Sequence, residues 1–170
     1  ATAPQRAIWL AINLATAILA ASVIAFYQDT IEKVVALAVL MPIVASMGGI
    51  AGTQSLTVLI RAMAMGQIND RTEIWLVRRE IFVSIINGLI WAFVIAIIAA
   101  YWFDDTTLGL IIAFAIIINL ITAGIAGASL PLILDRLRID PALAGGVVLT
   151  TITDVVGFFA FLGVAAYFYN

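Results

Sequence analysis

Long apolar runs alternate with short polar punctuation along this chain. Five runs stand out, at about 7–26, 34–64, 72–102, 107–134 and 141–169. A hydrocarbon core of ~30 Å needs about 20 apolar residues in a helix, and each run meets that length. Backbone N–H and C=O groups in lipid have to be satisfied within the chain, so the runs read as helices. The pattern therefore predicts an all-α integral membrane protein, a single transmembrane domain of five transmembrane helices. Thr2 and Gln5 have capping-box spacing before the first run, as do Asp70 and Glu73 before the third, with Asp in place of Ser or Thr. Asp140-Pro141 reads as an N-cap followed by an N1 proline.

The second run would make a helix of roughly 46 Å, longer than the membrane core. It has to tilt, extend past the bilayer or break. "MGGIAGTQS", Met47 to Ser55, is the expected break or close-packing point, and Pro42 is a second kink candidate. "GIAG" occurs at Gly49–Gly52 and again at Gly124–Gly127, in two runs expected to cross the membrane in the same direction. A parallel repeat of runs two-three and four-five would produce this echo. So would chance, given how common Gly, Ile and Ala are here.

Composition supports the membrane class: 65% of residues are hydrophobic, 11% are charged, and the mean hydropathy is +1.20. Soluble domains carry about 25% charged residues. The chain has no cysteine and no histidine. Disulfides, thiolate metal sites and imidazole proton shuttles are thereby excluded. Any metal site has to be built from oxygen, which favours hard cations such as Mg2+ or Ca2+. No nucleotide loop, haem pattern or nucleophile-base pair is visible, so the chain reads as a non-enzyme. Its surroundings are the lipid bilayer, and no nucleic-acid partner is expected.

Charge placement gives the orientation. With the N-terminus inside, Arg6, Arg61, Arg71, Arg78, Arg79, Arg136 and Arg138 fall on the inner side and only Lys33 on the outer. Positive charge concentrates on cytoplasmic loops, so this arrangement is the expected one, with the C-terminus outside. Trp9 and Trp75 then lie near inner ends, and Tyr27, Tyr101, Trp102, Tyr167 and Tyr169 near outer ends, as interfacial aromatics do. Asp29, Glu32, Asp104 and Asp105 read as solvated outer-loop charge. The expected location is a plasma or inner membrane. The start at Ala1, without methionine, reads as an excised or processed beginning. No cleavage site follows the first apolar run, which reads as a retained span rather than a signal peptide.

Of ten acidic residues, only Asp154 is expected deep within a span. It lies about 20 Å of helix rise beyond Pro141, near the bilayer midplane. No lysine or arginine stands within one turn of it. Thr150, Thr151 and Gly157 share its helix face, and Ala144, Gly145 and Gly146 keep the inner part of the helix narrow. Intramembrane carboxylates mark ion or proton pathways, so Asp154 is the leading functional candidate. A protonated Asp bonded to a neighbouring helix is the structural alternative. In the second run, Gly48, Gly49 and Gly52 stand beside Thr53, Gln54, Ser55 and Thr57. The spacing suits a small-residue packing surface and equally a pore wall facing hydrated ions. Glu80, Ser84 and Asn87 form a short polar face in the third run, where Glu80 is expected to pair with Arg78, Arg79 or another loop. Asn13 and Asn119 read as interhelical hydrogen bonders.

Three motifs together resemble the transmembrane domain of the MgtE family of magnesium channels, whose relatives include magnesium carriers of animals. They are "PIVASMGGIAGTQSLTVLIRAMAMG" from Pro42, "LPLILDRLRIDPALAGG" from Leu130 and "TTITDVVGFF" from Thr150. All five runs fit in order. The resemblance implies a homodimer of five-helix protomers with the pore on the two-fold axis, lined by the second and fifth spans. It implies that Mg2+ is the bound and transported ion. Asp154 falls on the family's pore aspartate, which meets Mg2+ and its waters, and Thr150 would offer a carbonyl or hydroxyl nearby. Gly48, Gly49, Gln54, Thr151 and Gly146 are the remaining pore-lining candidates. Two positions depart from the family pattern: Ile50 follows Gly48-Gly49 where Asn is usual, and Gly146 stands where some members are polar. The family's cytosolic N-domain and CBS pair have no counterpart in these residues, so a regulatory domain is an expected missing partner.

The expected function is passage of Mg2+ through a dimeric pore. The alternative is a divalent-cation exchanger coupled to Na+ or H+. A membrane assembly module without transport is the third reading.

Overall fold

The computed structural model describes residues 2–170. Six helices follow one another: α1 Ala3–Phe26, α2 Gln28–Lys33, α3 Ala36–Ala64, α4 Asp70–Phe103, α5 Thr106–Arg136 and α6 Pro141–Tyr169. There is no strand among the described residues. All but the six-residue α2 are long and apolar enough to cross a membrane. The sequence left α2 as a polar loop between the first two runs. It forms where the chain turns back between α1 and α3, and Asp29 at its start and Lys33 at its end both oppose the helix dipole favourably.

The helix ends follow local chemistry. The Gln5 side chain accepts from the Thr2 backbone N–H at 3.0 Å, one half of the expected box. The α4 cap lies one residue earlier than expected. Asn69, not Asp70, is the N-cap; its Oδ1 accepts from the N–H groups of Arg71 and Thr72 at 3.0 and 3.1 Å. The Thr72 hydroxyl accepts in return from the Asn69 N–H at 2.8 Å. Asn at an N-cap has a neutral amide oxygen of the right reach, and Asp70 is left in the first turn, where its charge meets the dipole. At α6 the Asp140 carboxylate accepts from Ala142 N–H at 2.9 Å, with Pro141 in the first turn, as expected.

The helices α3 and α5 stop in the same way. Gly66 takes φ +68°, with Gln67 N–H bonding back to Ala62 C=O and Gly66 N–H to Met63 C=O. Arg138 takes φ +57°, with Ile139 N–H on Leu134 C=O and Arg138 N–H on Asp135 C=O. Both are left-handed closures that satisfy terminal carbonyls. Glycine suits the first at no steric cost, and the second holds an arginine in that conformation.

The expected break in α3 does not occur. The helix runs unbroken from Ala36 to Ala64, through Pro42 and through Gly48, Gly49 and Gly52. Without water to compete for backbone groups, glycine has little reason to unwind a membrane helix. Its role here is close approach. Gly48 faces Asn119 of α5 and Gly52 faces Leu149 of α6.

The centre of the bundle is α5, more than half buried over its most apolar stretch. It packs against α3, α4 and α6, while α1 lies outside against α6. Lipid tails are as apolar as leucine, so tight van der Waals fit drives this packing. Accordingly α5 is small-sided where it touches backbone: Gly109 fits against the Ala96 carbonyl of α4 and Gly127 against the Gly52 carbonyl of α3. The two "GIAG" segments thus meet at Gly52 and Gly127. Ile112, Ile116, Leu120, Leu40, Val44 and Phe161 fill the layers above. Although consecutive, α3 and α4 scarcely touch, because α5 is inserted behind them.

Candidate functional site

Where α3 meets α6 they run antiparallel in constant register. Gly145 lies against Leu56, Gly52 against Leu149, and Gly157 against Val44. Thr153, fully buried, continues this seam at the level of Gly48. A step of one residue turns about 100° round a helix, and in an antiparallel pair that step leads to the same side on both. One residue past the seam, α6 carries Gly146, Thr150 and Asp154, and α3 carries Thr57, Thr53 and Gly49. The register pairs Asp154 with Gly49, Thr150 with Thr53 and Gly146 with Thr57. Gly146, Thr150, Thr53 and Thr57 are exposed; Gly49 and Asp154 are half-buried. A single face therefore carries one carboxylate, three threonines and two glycines.

The space before this face is open. No neighbouring atom lies within 4 Å of where a side chain would start at Gly49 or at Gly146. Asp154 makes no hydrogen bond or ion pair among the described residues, whose one ion pair joins Arg136 and Glu73 at 2.6 Å. No group of three or more acidic side chains converges among them either. Thr151 and Thr53 donate their hydroxyls to backbone carbonyls of Val147 and Gly49, each at 2.8 Å. The Thr150 hydroxyl has no protein partner among the described residues. Its carbonyl accepts from the Thr153 hydroxyl at 3.2 Å.

Of the sequence candidates, the fold brings Asp154, Thr150, Gly146 and Gly49 together. Gly48 lies inside the seam, behind that face. Thr151 is one further step round α6. Gln54 stands between two hollows: with Ile50 it lines the cavity between α3 and α4, and with Thr53 and Thr57 it lines a shallower groove along α3. Thr53 and Thr57, named above only as part of the polar run in the second span, join the face. The four-residue spacing from Gly49 would have found them.

Behind the face, Asn119 of α5 is fully buried and donates from Nδ2 to the Val44 carbonyl at 3.0 Å, the interhelical bond expected of it. It is gripped between Gly48 and Gly157, so one amide fixes the spacing of α3, α5 and α6. Glu80 departs from expectation. It pairs with neither Arg78 nor Arg79 but accepts from the Ser55 hydroxyl at 2.9 Å, buried between α4 and α3. The helix turn dictates this: Arg78 and Arg79 face outward, and Arg79 lies over the Trp75 ring at 5.6 Å.

A bundle of five membrane-length helices, with an unpartnered carboxylate on a small, hydroxyl-bearing face, defines a polytopic α-helical membrane protein. Residues 41–164 match the model of the MgtE family, described as divalent cation transporter. The chain belongs to the MgtE family. It is 36% identical over 164 residues to the magnesium transporter MgtE of Bacillus subtilis, covering 96% of this chain and 36% of that protein. It is 30% identical to the magnesium transporter MgtE of Enterococcus faecalis over 98% of this chain and 37% of that protein. Against the magnesium transporter MgtE of Thermus thermophilus the identity is 31%, over 94% of this chain and 35% of that protein. The chain thus spans little more than a third of the length of the relatives it matches.

Proposed function

We propose that this chain is the membrane-spanning part of a magnesium-transporting protein and that Mg2+ passes along the α3/α6 face. The observation that carries the reading is Asp154: a carboxylate within a span, without a partner among the described residues, beside open space at Gly49. Such a group calls for a cationic partner. Mg2+ gives up its waters reluctantly and is seldom held by a dedicated protein cage. A carboxylate flanked by glycines and hydroxyls suits contact through those waters, tight enough to select and loose enough to release. Membership in a family described as divalent cation transporter, and likeness to magnesium transporters, support the same cargo.

One protomer supplies only half of such a path. A polar face on a membrane helix avoids lipid, so a second copy meets it across a two-fold axis, placing two Asp154 carboxylates around the ion. Their mutual repulsion is relieved by the dication. The N-terminus lies in the cytoplasm, following the arginine bias, and a cytosolic regulatory part acts from the same side. In proteoliposomes, Asp154→Ala lowers Mg2+ flux by about two orders of magnitude, the effect of deleting the one charge that meets the ion within the span. Flux that persists at the wild-type rate and selectivity refutes the assignment of Asp154.

A further inference from the structure

A second intramembrane carboxylate lies away from that face. The cavity between α3 and α4, about 390 Å3, is lined by Glu80, Ser84 and Asn87 of α4 and by Gln54 and Ser55 of α3, with Leu120 of α5 at its back. It exists because α5 holds the two consecutive helices apart. Glu80 is 8% exposed, and it is the only charged side chain lining the cavity. Ser55 supplies one hydrogen bond to Oε2; Oε1 has no protein partner among the described residues. The buried Ser84 hydroxyl donates to nothing there, and Asn87, which spends its Nδ2 on the Val83 carbonyl at 3.1 Å, keeps its Oδ1 free. Gly124 of α5 seats this arrangement, leaving no room for a side chain beneath Ser84 and the Glu80 carbonyl.

We infer that the α3/α4 cavity is a binding site for a monovalent metal cation, with Na+ as the fitting ion, held by Glu80 and the oxygens of Ser55, Ser84, Asn87 and Gln54. A buried carboxylate without a basic partner is costly unless its charge is neutralised. The donors are all oxygen, the chemistry of hard cations. One carboxylate balances one positive charge. A dication here would leave an uncompensated charge in a low-dielectric site, so the cavity differs in charge from a face where two carboxylates meet. The site stands independently of the Mg2+ pathway.

The test is Na+ binding to the purified protein, read as thermal stabilisation when NaCl replaces choline chloride at constant pH and ionic strength. Wild type shows a saturable rise in Tm. Glu80→Gln moves the Na+ midpoint about tenfold higher or abolishes the response, and Ser84→Ala moves it severalfold. Asp154→Asn keeps the wild-type Na+ response, separating this site from the Mg2+ reading. A wild-type protein without saturable Na+ stabilisation overturns the inference, leaving Glu80 only a hydrogen-bond partner of Ser55. An equal response in Glu80→Gln overturns it too, as does a Glu80-dependent response to Mg2+ alone. If Glu80→Gln fails to fold, Ser84→Ala decides, since Ser84 makes no protein hydrogen bond, and an unshifted midpoint there sinks the site.

Discussion

Gly48 and Gly49 are neighbours in sequence and opposites in duty. A methyl group at Gly48 would run into the Asn119 amide, while one at Gly49 would enter open space. Gly48→Ala is therefore expected to destabilise the bundle by about 1–3 kcal/mol through overpacking, seen as a lower melting temperature. Gly49→Ala leaves the melting temperature unchanged or slightly higher, since alanine is the better helix former. Its effect falls on Mg2+ flux, because the methyl group narrows the space beside Asp154. Equal melting losses for both variants would contradict the geometry. Asp154 and Thr150 were legible from sequence, because a lone charge in an apolar run and its hydroxyl one turn away need no tertiary information. Glu80 was not legible. Arginines precede it at positions 78 and 79, and only the orientation of α4 shows that they turn outward while Glu80 turns in.

At the scale of elements, periodicity located the five spans to within a few residues, and cap chemistry fixed their ends. The Asn69 cap was missed because Asp70, Glu73 and Asn69 offer overlapping signals, and the winner depends on where the preceding turn releases the chain at Gly66. The helix ends on the α2 side of the bundle are tied by side chains that no local pattern announces. The Tyr169 hydroxyl donates to the Asp105 carboxylate at 2.6 Å, joining the last residue of α6 to the cap of α5. Asn170 bonds Thr30 at 3.0 Å and Lys33 at 3.2 Å, joining α6 to α2. Tyr169→Phe is expected to cost about 1 kcal/mol, the net worth of one such bond. In hydrogen exchange the loss appears earliest in the first turns of α5 and the last turns of α6. Uniform faster exchange across the bundle would show that the tie does more than hold these ends.

For the whole molecule, the decisive feature is how α5 divides the others. It packs α3 and α6 into a seam whose one side is the Asp154 face, and it holds α3 and α4 apart around the Glu80 cavity. The absence of cysteine makes the proposed two-fold arrangement directly testable. A single cysteine at Gly146 or Thr53 is expected to yield disulfide-linked dimers in membranes, because the proposed arrangement sets each opposite its symmetry copy near the axis. A cysteine at Leu14, exposed on the outlying α1, gives none. Cross-linking from Leu14 but not from the α3/α6 face would place the contact between copies elsewhere.

By itself the sequence determined the membrane class, the number and limits of the spans, the exclusion of histidine and cysteine metal chemistry, and Asp154 as a charge within a span in need of a partner. These follow from local quantities: run length, residue type and spacing along one helix. Only the tertiary structure decided which glycines pack and which open space, that Gln54 borders the α3/α4 cavity as well as the groove at Thr53 and Thr57, and that Glu80 is an interior group. Those outcomes depend on helix rotation and on α5 lying between its neighbours. Rotation is set by the summed fit of small residues across several helices, a quantity that no stretch of one helix contains.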